Sequence, residues 1–412
     1  MPRSLVVLGQ VLRSHAVARV EVAFAAFNLA EYGVWVTVLV YAYGHGGATA
    51  TALVAVGQLV PAGILAPTLT ALLQRHGASA ALRRGYEIQA VTLGLLATSL
   101  LSNAPVPLVY ATAVIAAVAV TVTRPAQAVL VPTIVVTPDQ LTAVNVVSGW
   151  VESVCILAGP AMAGVMLAVA SPGAAVGLFA AGTALAAAVC PAGPAVRATP
   201  AVPDDRGNRP TENPVGAGAP LAVVWLLGAE YAVIGMVDVL SVVIAVSVLA
   251  LGPSGAGYLT AAFGAGGAAG AALAAALIGQ RQLTAPFCIA GASWSALMAA
   301  LALTLSRVGA FALLACAGSA RAVLDACGRT ILMRTRSAAD RAILFGRLEA
   351  VTMLGLALGS LLVPALVALG GASAALEGAS ALLAVTTLAN VARFSRRRIR
   401  ASLTQKQYVP LG

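Results

Sequence analysis

The chain has 412 residues, of which 60% are hydrophobic and only 9% charged, and its mean hydropathy is +0.94. A soluble domain carries roughly 25% charged residues, and no water-soluble fold of this length hides so much apolar surface. The net charge of +10 comes almost wholly from Arg, with Lys406 the single Lys. No basic, aromatic-laced domain is present, so nucleic acid is excluded as a partner and the charge reads as a topology signal.

A spanning helix needs about 20 apolar residues, and runs this long fix the spans as helices rather than barrel strands. In chain order the apolar runs predict helices over residues 17–43, 48–73, 86–103, 106–132, 141–170 and 173–192. After a break they predict 219–249, 255–279, 284–306, 308–333, 342–369 and 372–394. The break holds Pro200, Pro203, Pro210 and Pro214 with Asp204, Asp205, Arg206, Arg209 and Glu212, the composition of a flexible linker. The expected fold is an all-α polytopic membrane protein of about twelve helices in two pseudo-symmetric six-helix bundles. Its parts are a cytoplasmic lead 1–16, a bundle 17–192, a linker 193–218, a bundle 219–394 and a basic tail 395–412. The apolar run continues past Ala23-Phe24-Ala25, so no cleaved leader is expected.

Arg residues set the orientation. Clusters follow the second span (Arg75, Arg83, Arg84), the sixth (Arg197, Arg206, Arg209), the eighth (Arg281) and the tenth (Arg334, Arg336, Arg341), and fill the tail from Arg393 to Arg400. With twelve spans all of these fall on one side, which the positive-inside rule makes the cytoplasm of a bacterial plasma membrane, with both termini inside. Gly266 and Gly270, and again Gly355 and Gly359, have the G-x-x-x-G spacing that lets helix backbones approach closely in lipid. Cys155, Cys190, Cys288, Cys316 and Cys327 lie in apolar runs without C-x-x-C spacing and read as buried structural thiols. His15, His45 and His76 form no metal constellation, and no metal or cofactor is expected.

Four stretches carry a resemblance. They are Thr123-Arg124-Pro125-Ala126-Gln127 with Leu130-Val131-Pro132; Pro138-Asp139-Gln140-Leu141-Thr142-Ala143-Val144-Asn145; Ala158-Gly159-Pro160-Ala161-Met162-Ala163-Gly164; and Gly257-Tyr258-Leu259 through Gly270. They resemble the major facilitator superfamily, and within it bacterial drug:proton antiporters and enterobactin-exporter-like members, over about residues 15–395. The resemblance implies transport by alternating access, with spans 1, 4, 7 and 10 lining the cavity. It also implies export, because Gly159, Pro160 and Gly164 resemble the exporter-associated motif of the fifth span. One departure stands in the loop after the second span. Where the family reads G-x-L-x-D-R-x-G-R-R, this chain has Leu72-Leu73-Gln74-Arg75-His76-Gly77-Ala78, so a neutral Gln74 replaces the Asp and the basic pair is missing.

Charges inside the apolar spans cost about 2.5–3.5 kcal/mol each on insertion scales and mark cavities, partners or proton paths. Glu31 and Asp238 lie near the centres of the first and seventh spans with no cation within four residues on their own helices. They are the expected proton-coupling or cavity carboxylates. Asp325 stands between Arg321 and Arg329 at helical spacing, so it reads either as a coupling residue or as the middle of an internal salt-bridge ladder. Arg124 resembles the Arg of the family's fourth span and is expected in coupling or substrate access. Glu152 and Glu349 lie about two turns inside spans five and eleven. They read as cytoplasmic gate latches, Glu152 reaching Arg281 and Glu349 reaching Arg75, or else as locally paired groups such as Arg347 with Glu349. Glu21 reads as a membrane-edge residue.

The functional expectation is proton-coupled efflux of amphipathic small molecules (a drug, an antibiotic or a siderophore-like metabolite) by a monomer in the lipid bilayer. The alternative is an importer or uniporter of the same fold for a dedicated metabolite. A sensor with a transporter fold is a further reading. No H-E-x-x-H, G-x-S-x-G or G-x-x-x-x-G-K-[ST] motif is present, so an enzyme is not expected and ATP drive within the chain is excluded.

Overall fold

The computed structural model describes residues 14–74, 77–135, 137–190, 219–278, 282–304, 306–333 and 338–407. Arg75, His76, Arg281, the linker 193–218 and most of the lead 1–16 lie outside the described residues, as do the side chains of Gln74, Asp139 and every residue from 396 onward.

Regular structure among the described residues is helical, with no strand. We number the helices α1 (His15–Gln74), α2 (Ala78–Leu101), α3 (Val106–Val120), α4 (Thr123–Ile134), α5 (Pro138–Val169) and α6 (Pro172–Val189). They continue as α7 (Ala219–Val243), α8 (Gly252–Ile278), α9 (Thr284–Leu303), α10 (Arg307–Met333) and α11 (Ala338–Gln407). Among the described residues, nine stretches are long and apolar enough to cross a membrane. Two of these, His15–Ala66 and Arg347–Ser395, have the length of two crossings, and α2 supplies a further helix of 24 residues. The expected dozen spans are thereby accounted for.

Local chemistry explains where the elements start and stop. The two double-length helices break at glycine pairs, with Gly47 at φ +60° and Gly371 at φ +74°, left-handed positions that a side chain would strain. Thr137 and Ser171 cap α5 and α6: each hydroxyl accepts from a backbone N–H three residues on, at 3.2 Å, ahead of a proline in the first turn. The span predicted over 106–132 is two helices, because the chain breaks at Thr121-Val122 before Thr123 and Arg124 open α4. After α7 a π-helical turn occupies Ile244–Val248, where the Leu249 N–H donates to the Ile244 carbonyl at 2.8 Å. Ala250 follows at φ +49°.

The described residues fall into two compact units. The first comprises Met1–Gly207 with Ser241–Gly264, the second Asn208–Leu240 with Ala265–Gly412. The core of the first gathers Val20, Phe24, Phe27, Leu82, Tyr86, Leu130 and Val144. That of the second gathers Val223, Leu227, Phe287, Leu324, Cys327 and Leu348. Outward-facing Val91, Trp150, Leu185, Trp225, Leu362 and Val385 are large, apolar and exposed, as a lipid-facing surface requires.

Glycines set the helix contacts within each unit. A Cβ on Gly266 would strike the Ala315 carbonyl and one on Gly270 the Ser319 backbone, so α8 and α10 touch backbone to backbone. Gly355 and Gly359 play the same part against Gly228 and Ala232 of α7. In the first unit Gly159 lies against the Leu29 carbonyl, where a Cβ would come within 2.9 Å. A Cβ on Gly164 would come within 2.9 Å of the Ser254 carbonyl and 3.0 Å of the Tyr258 ring, and one on Gly257 within 2.5 Å of the Pro160 carbonyl. Cys155, Cys190 and Cys327 are buried and Cys288 partly so, but Cys316 is exposed, contrary to the expectation that all five are buried. It sits on an outward face of α10, where an apolar run is exposed to lipid rather than to a core.

Candidate functional site

In the first unit the site grows from one face of α1. Asn28, Glu31 and Tyr32 are one helical turn apart and so project together. Arg124, in the first turn of α4, reaches across to them. Its Nη2 donates to Glu31 Oε2 at 2.7 Å, to Asn28 Oδ1 at 3.0 Å and to the Tyr32 hydroxyl at 3.4 Å. Its Nη1 donates to Glu152 Oε1 of α5 at 2.8 Å, and the Tyr32 hydroxyl donates to that same oxygen at 3.2 Å. The guanidinium also lies 5.6 Å from the Phe27 ring centre and 6.0 Å from that of Phe24, within cation–π range. One cation therefore serves two carboxylates, and when both are ionised the group holds one negative charge in excess.

A cavity of about 370 Å³ adjoins this group. Arg124, Phe24, Gln127 and Ser148 line it together with apolar Val131 and Leu141. Behind Ser148 stands Glu21, whose Oε1 accepts from the Ser148 hydroxyl at 2.6 Å. Glu21 is 7% exposed, so the residue read as lying at the membrane edge is covered laterally, with Ser148 of α5 against its carboxyl.

The second unit holds a related group. Glu230 of α7 is fully buried, and Arg321 of α10 donates to its Oε1 at 3.2 Å. Arg329 binds Asp325 through two contacts of 2.9 and 3.1 Å, donates to the Tyr231 hydroxyl at 3.0 Å and pairs with Glu349 at 3.6 Å. Asp325 is thus paired with Arg329, as the ladder reading has it, while Arg321 turns to a carboxylate on another helix. Here two cations face three carboxylates, and one negative charge is again in excess. Asp238 lies two turns beyond Glu230 on α7 and is half-buried.

The expected site residues therefore divide. Glu31, Arg124 and Glu152 meet in one group, Asp325 and Glu349 in another. Gly159 and Gly164 are helix-contact points rather than ligand groups. Arg75 and Arg281 lie outside the described residues, so their pairings with Glu349 and Glu152 have no counterpart among the contacts. Glu152 and Glu349 each have a partner inside their own unit instead, and it is not Arg347 for Glu349.

Sequence reasoning passed over Glu230, Tyr32, Tyr231 and Asn28. The signal was present: Ala30-Glu31-Tyr32 on the first helix recurs as Ala229-Glu230-Tyr231 on the seventh. Arg124 precedes Glu152 by 28 residues, and Arg321 precedes Glu349 by the same separation. Glu230, rather than Asp238, repeats both the local sequence of Glu31 and its Arg partner. Among the described residues no group of His, Cys, Asp and Glu could hold a metal ion.

Over most of its length the structure is similar to solved membrane transporters. One is a POT family transporter in complex with a thioalcohol-conjugated peptide, at TM-score 0.71 and 12% identity, covering 92% of this chain and 96% of that one. Another is the nucleoside transporter NupG, at TM-score 0.65 and 15% identity, covering 92% and 99%. A third is the human organic anion transporter MFSD10 (TETRAN), at TM-score 0.60 and 15% identity, covering 95% and 100%. No protein-family model matches the chain, and no curated protein matches it. At these identities the likeness shows the fold, which is the all-α polytopic membrane fold expected from the sequence.

Proposed function

From a fold shared with solved membrane transporters, we propose that this chain is a secondary active transporter that exports amphipathic small molecules in exchange for protons. The observation that carries the reading is Arg124 held at once by Glu31 and Glu152. A guanidinium cannot give up its proton in a protein, so the group changes charge only at its carboxylates. A proton on Glu31 or Glu152 neutralises the excess charge and frees that side chain from Arg124. Loss of the proton restores the clamp. A group that exists in two such arrangements, one loaded and one not, is what coupling of a proton to alternating access needs. A bound cationic or donor group favours an ionised carboxylate, so proton and substrate compete for the same oxygens.

Export is favoured by the resemblance of Gly159, Pro160 and Gly164 to the exporter motif, together with the close approach of Gly164 to Ser254 and Tyr258. In this reading the Glu230–Arg321 and Asp325–Arg329–Glu349 group is a second charge-balancing station, with Asp238 two turns further along α7. The chain acts as a monomer in a bacterial plasma membrane with both termini in the cytoplasm. Glu152 and Glu349 govern the cytoplasmic gate through their hold on Arg124 and Arg329.

The test is proton flux in inverted membrane vesicles challenged with cationic, neutral and acidic lipophilic compounds. A compound that dissipates the proton gradient only when this protein is present supports antiport and names the substrate class. No response across the panel removes the proton-exchange reading. Counterflow from loaded liposomes decides direction, and net uptake into cells would replace export by import on the same machinery.

A further inference from the structure

The first unit contains more buried polar atoms than its own hydrogen bonds satisfy. Glu21 Oε2, the Tyr86 hydroxyl, both amide atoms of Gln89, the Thr123 hydroxyl and Gln127 Oε1 are all buried, and none has a hydrogen-bond partner among the described residues. Tyr86, Gln89 and Thr123 are fully buried, and Gln127 is 6% exposed. Six such atoms is an ordinary number for an interior of this size, and buried water is what commonly satisfies groups of this kind; what distinguishes these six is where they lie.

The atoms are not scattered. A Cβ on Gly85 would meet the Thr123 hydroxyl at 3.2 Å, which places α2 against the start of α4, and Tyr86 and Gln89 are one and four residues further along α2. Gln127 lies one turn beyond Thr123 and lines the cavity that Ser148 and Arg124 also line. Ser148 holds Glu21. The Phe27 ring is 6.2 Å from Tyr86 and 5.6 Å from the Arg124 guanidinium. Tyr86, Gln89 and Thr123 thus lie where α2 meets α4, while Gln127 lines the cavity beside Arg124 and Glu21 stands behind its Ser148 wall.

We propose that this seam (Gln89, Thr123, Gln127, Glu21) is a water-binding path inside the N-terminal unit that delivers protons to the Arg124 group, with Glu21 as its intermediate carrier. The delivery role rests on the proton-exchange reading above. In the step, a hydronium ion in the cavity gives a proton to the Ser148 hydroxyl oxygen and leaves as water, while that hydroxyl passes its own proton to Glu21 Oε1. The proton then passes through cavity water to one of the two carboxylates on Arg124, and Glu21 returns to its ionised form. Gln127 and Thr123 hold the water, and the Ser148 hydroxyl fixes the carboxyl.

Radiolytic hydroxyl labelling of the purified protein in nanodiscs tests the water directly, since it marks side chains beside bound water even when they are buried. Phe27 and Phe287 are both fully buried phenylalanines, one beside the seam and one in the apolar core of the second unit. Phe27 and Tyr86 should label several-fold faster than Phe287, and Gln127→Leu should cut that excess; equal rates would overturn the seam. Infrared difference spectra between acid and neutral pH test the carrier. A protonated-carboxyl band that Glu21→Gln removes, and that exchanges in D2O within the mixing time, is expected; no such band, or slow exchange, would overturn it. Delivery is read in the vesicle assay, where Glu21→Gln should slow compound-driven proton flux several-fold while compound binding is kept. Full flux in that variant refutes delivery, and flux absent from the unsubstituted protein despite a wet seam refutes the antiport reading instead.

Discussion

If Arg124 is shared by two carboxylates, removing either one should be mild and removing both should be severe. The relevant substitutions are Glu31→Gln, Glu152→Gln and their combination. Each single change weakens one charge-assisted hydrogen bond, worth about 1.5–3 kcal/mol. It also relieves the repulsion between two carboxylates on one guanidinium, about 3 kcal/mol at an effective dielectric near 20 and a separation of roughly 5 Å. The two effects nearly cancel. In the double variant Arg124 loses both counter-charges, and an uncompensated buried cation costs about 3–5 kcal/mol. The side chains are 38%, 28% and 35% exposed for Arg124, Glu31 and Glu152, so solvent screening lowers that cost to about 2–3 kcal/mol. Equilibrium unfolding of the four proteins in mixed micelles of increasing SDS content gives the cycle. The expected coupling is about 2 kcal/mol, with each single variant within about 1 kcal/mol of the parent. Two single costs that add up to the double would refute the sharing of one cation.

Other outcomes follow from the same contacts. Gly266→Ala drives a methyl group into the Ala315 carbonyl and should cost about 1–3 kcal/mol, whereas Gly182→Ala meets nothing within 4 Å and should be neutral in the same SDS unfolding assay. Tyr32→Phe removes a hydroxyl that bridges Arg124 and Glu152; the expected loss is about 0.5–1.5 kcal/mol, with a measurable fall in coupled flux. Glu31→Gln should abolish gradient-driven transport while leaving counterflow, and a variant that still concentrates its substrate would remove Glu31 from the coupling step. Glu349→Gln should shift the inward and outward populations seen in spin-label distance distributions, and an unchanged distribution would remove it from gating.

Much of the fold was readable because membrane helices advertise themselves. The glycine pairs Gly46-Gly47 and Gly370-Gly371 fell at expected breaks, and most predicted spans agree with the helices within a few residues; the exceptions are the α3–α4 break, α2, which starts at Ala78 rather than 86, and α11, which continues past 394 to Gln407. The charged groups were harder. Glu31 was picked out for having no cation nearby on its own helix, yet its partner Arg124 is 93 residues away, a separation that helical spacing does not reveal. Asp238 drew attention by its central position, while Glu230 was passed over although Ala-Glu-Tyr repeats around it. The burial of Glu21 beside Ser148 was not foreseen, because distance from the predicted membrane edge says nothing about which helices cover a side chain. Depth in the bilayer is legible from hydropathy, but lateral burial depends on helix packing, and packing is fixed by small residues whose partners lie far along the chain.

The π-helical turn at Ile244–Val248 also bears on how the chain can change in length. Such a turn is in effect an α-helix with one surplus residue, and here it ends with Ser247 hydrogen-bonded to the Tyr43 hydroxyl. Deleting Ala245 would let the segment close into an ordinary α-helical turn. Since each residue advances an α-helix by about 100°, Ser247 would swing a quarter-turn or more away from Tyr43. The surplus residue is therefore the aiming device for that contact: a one-residue deletion would leave hydropathy and helix content almost untouched and still break it.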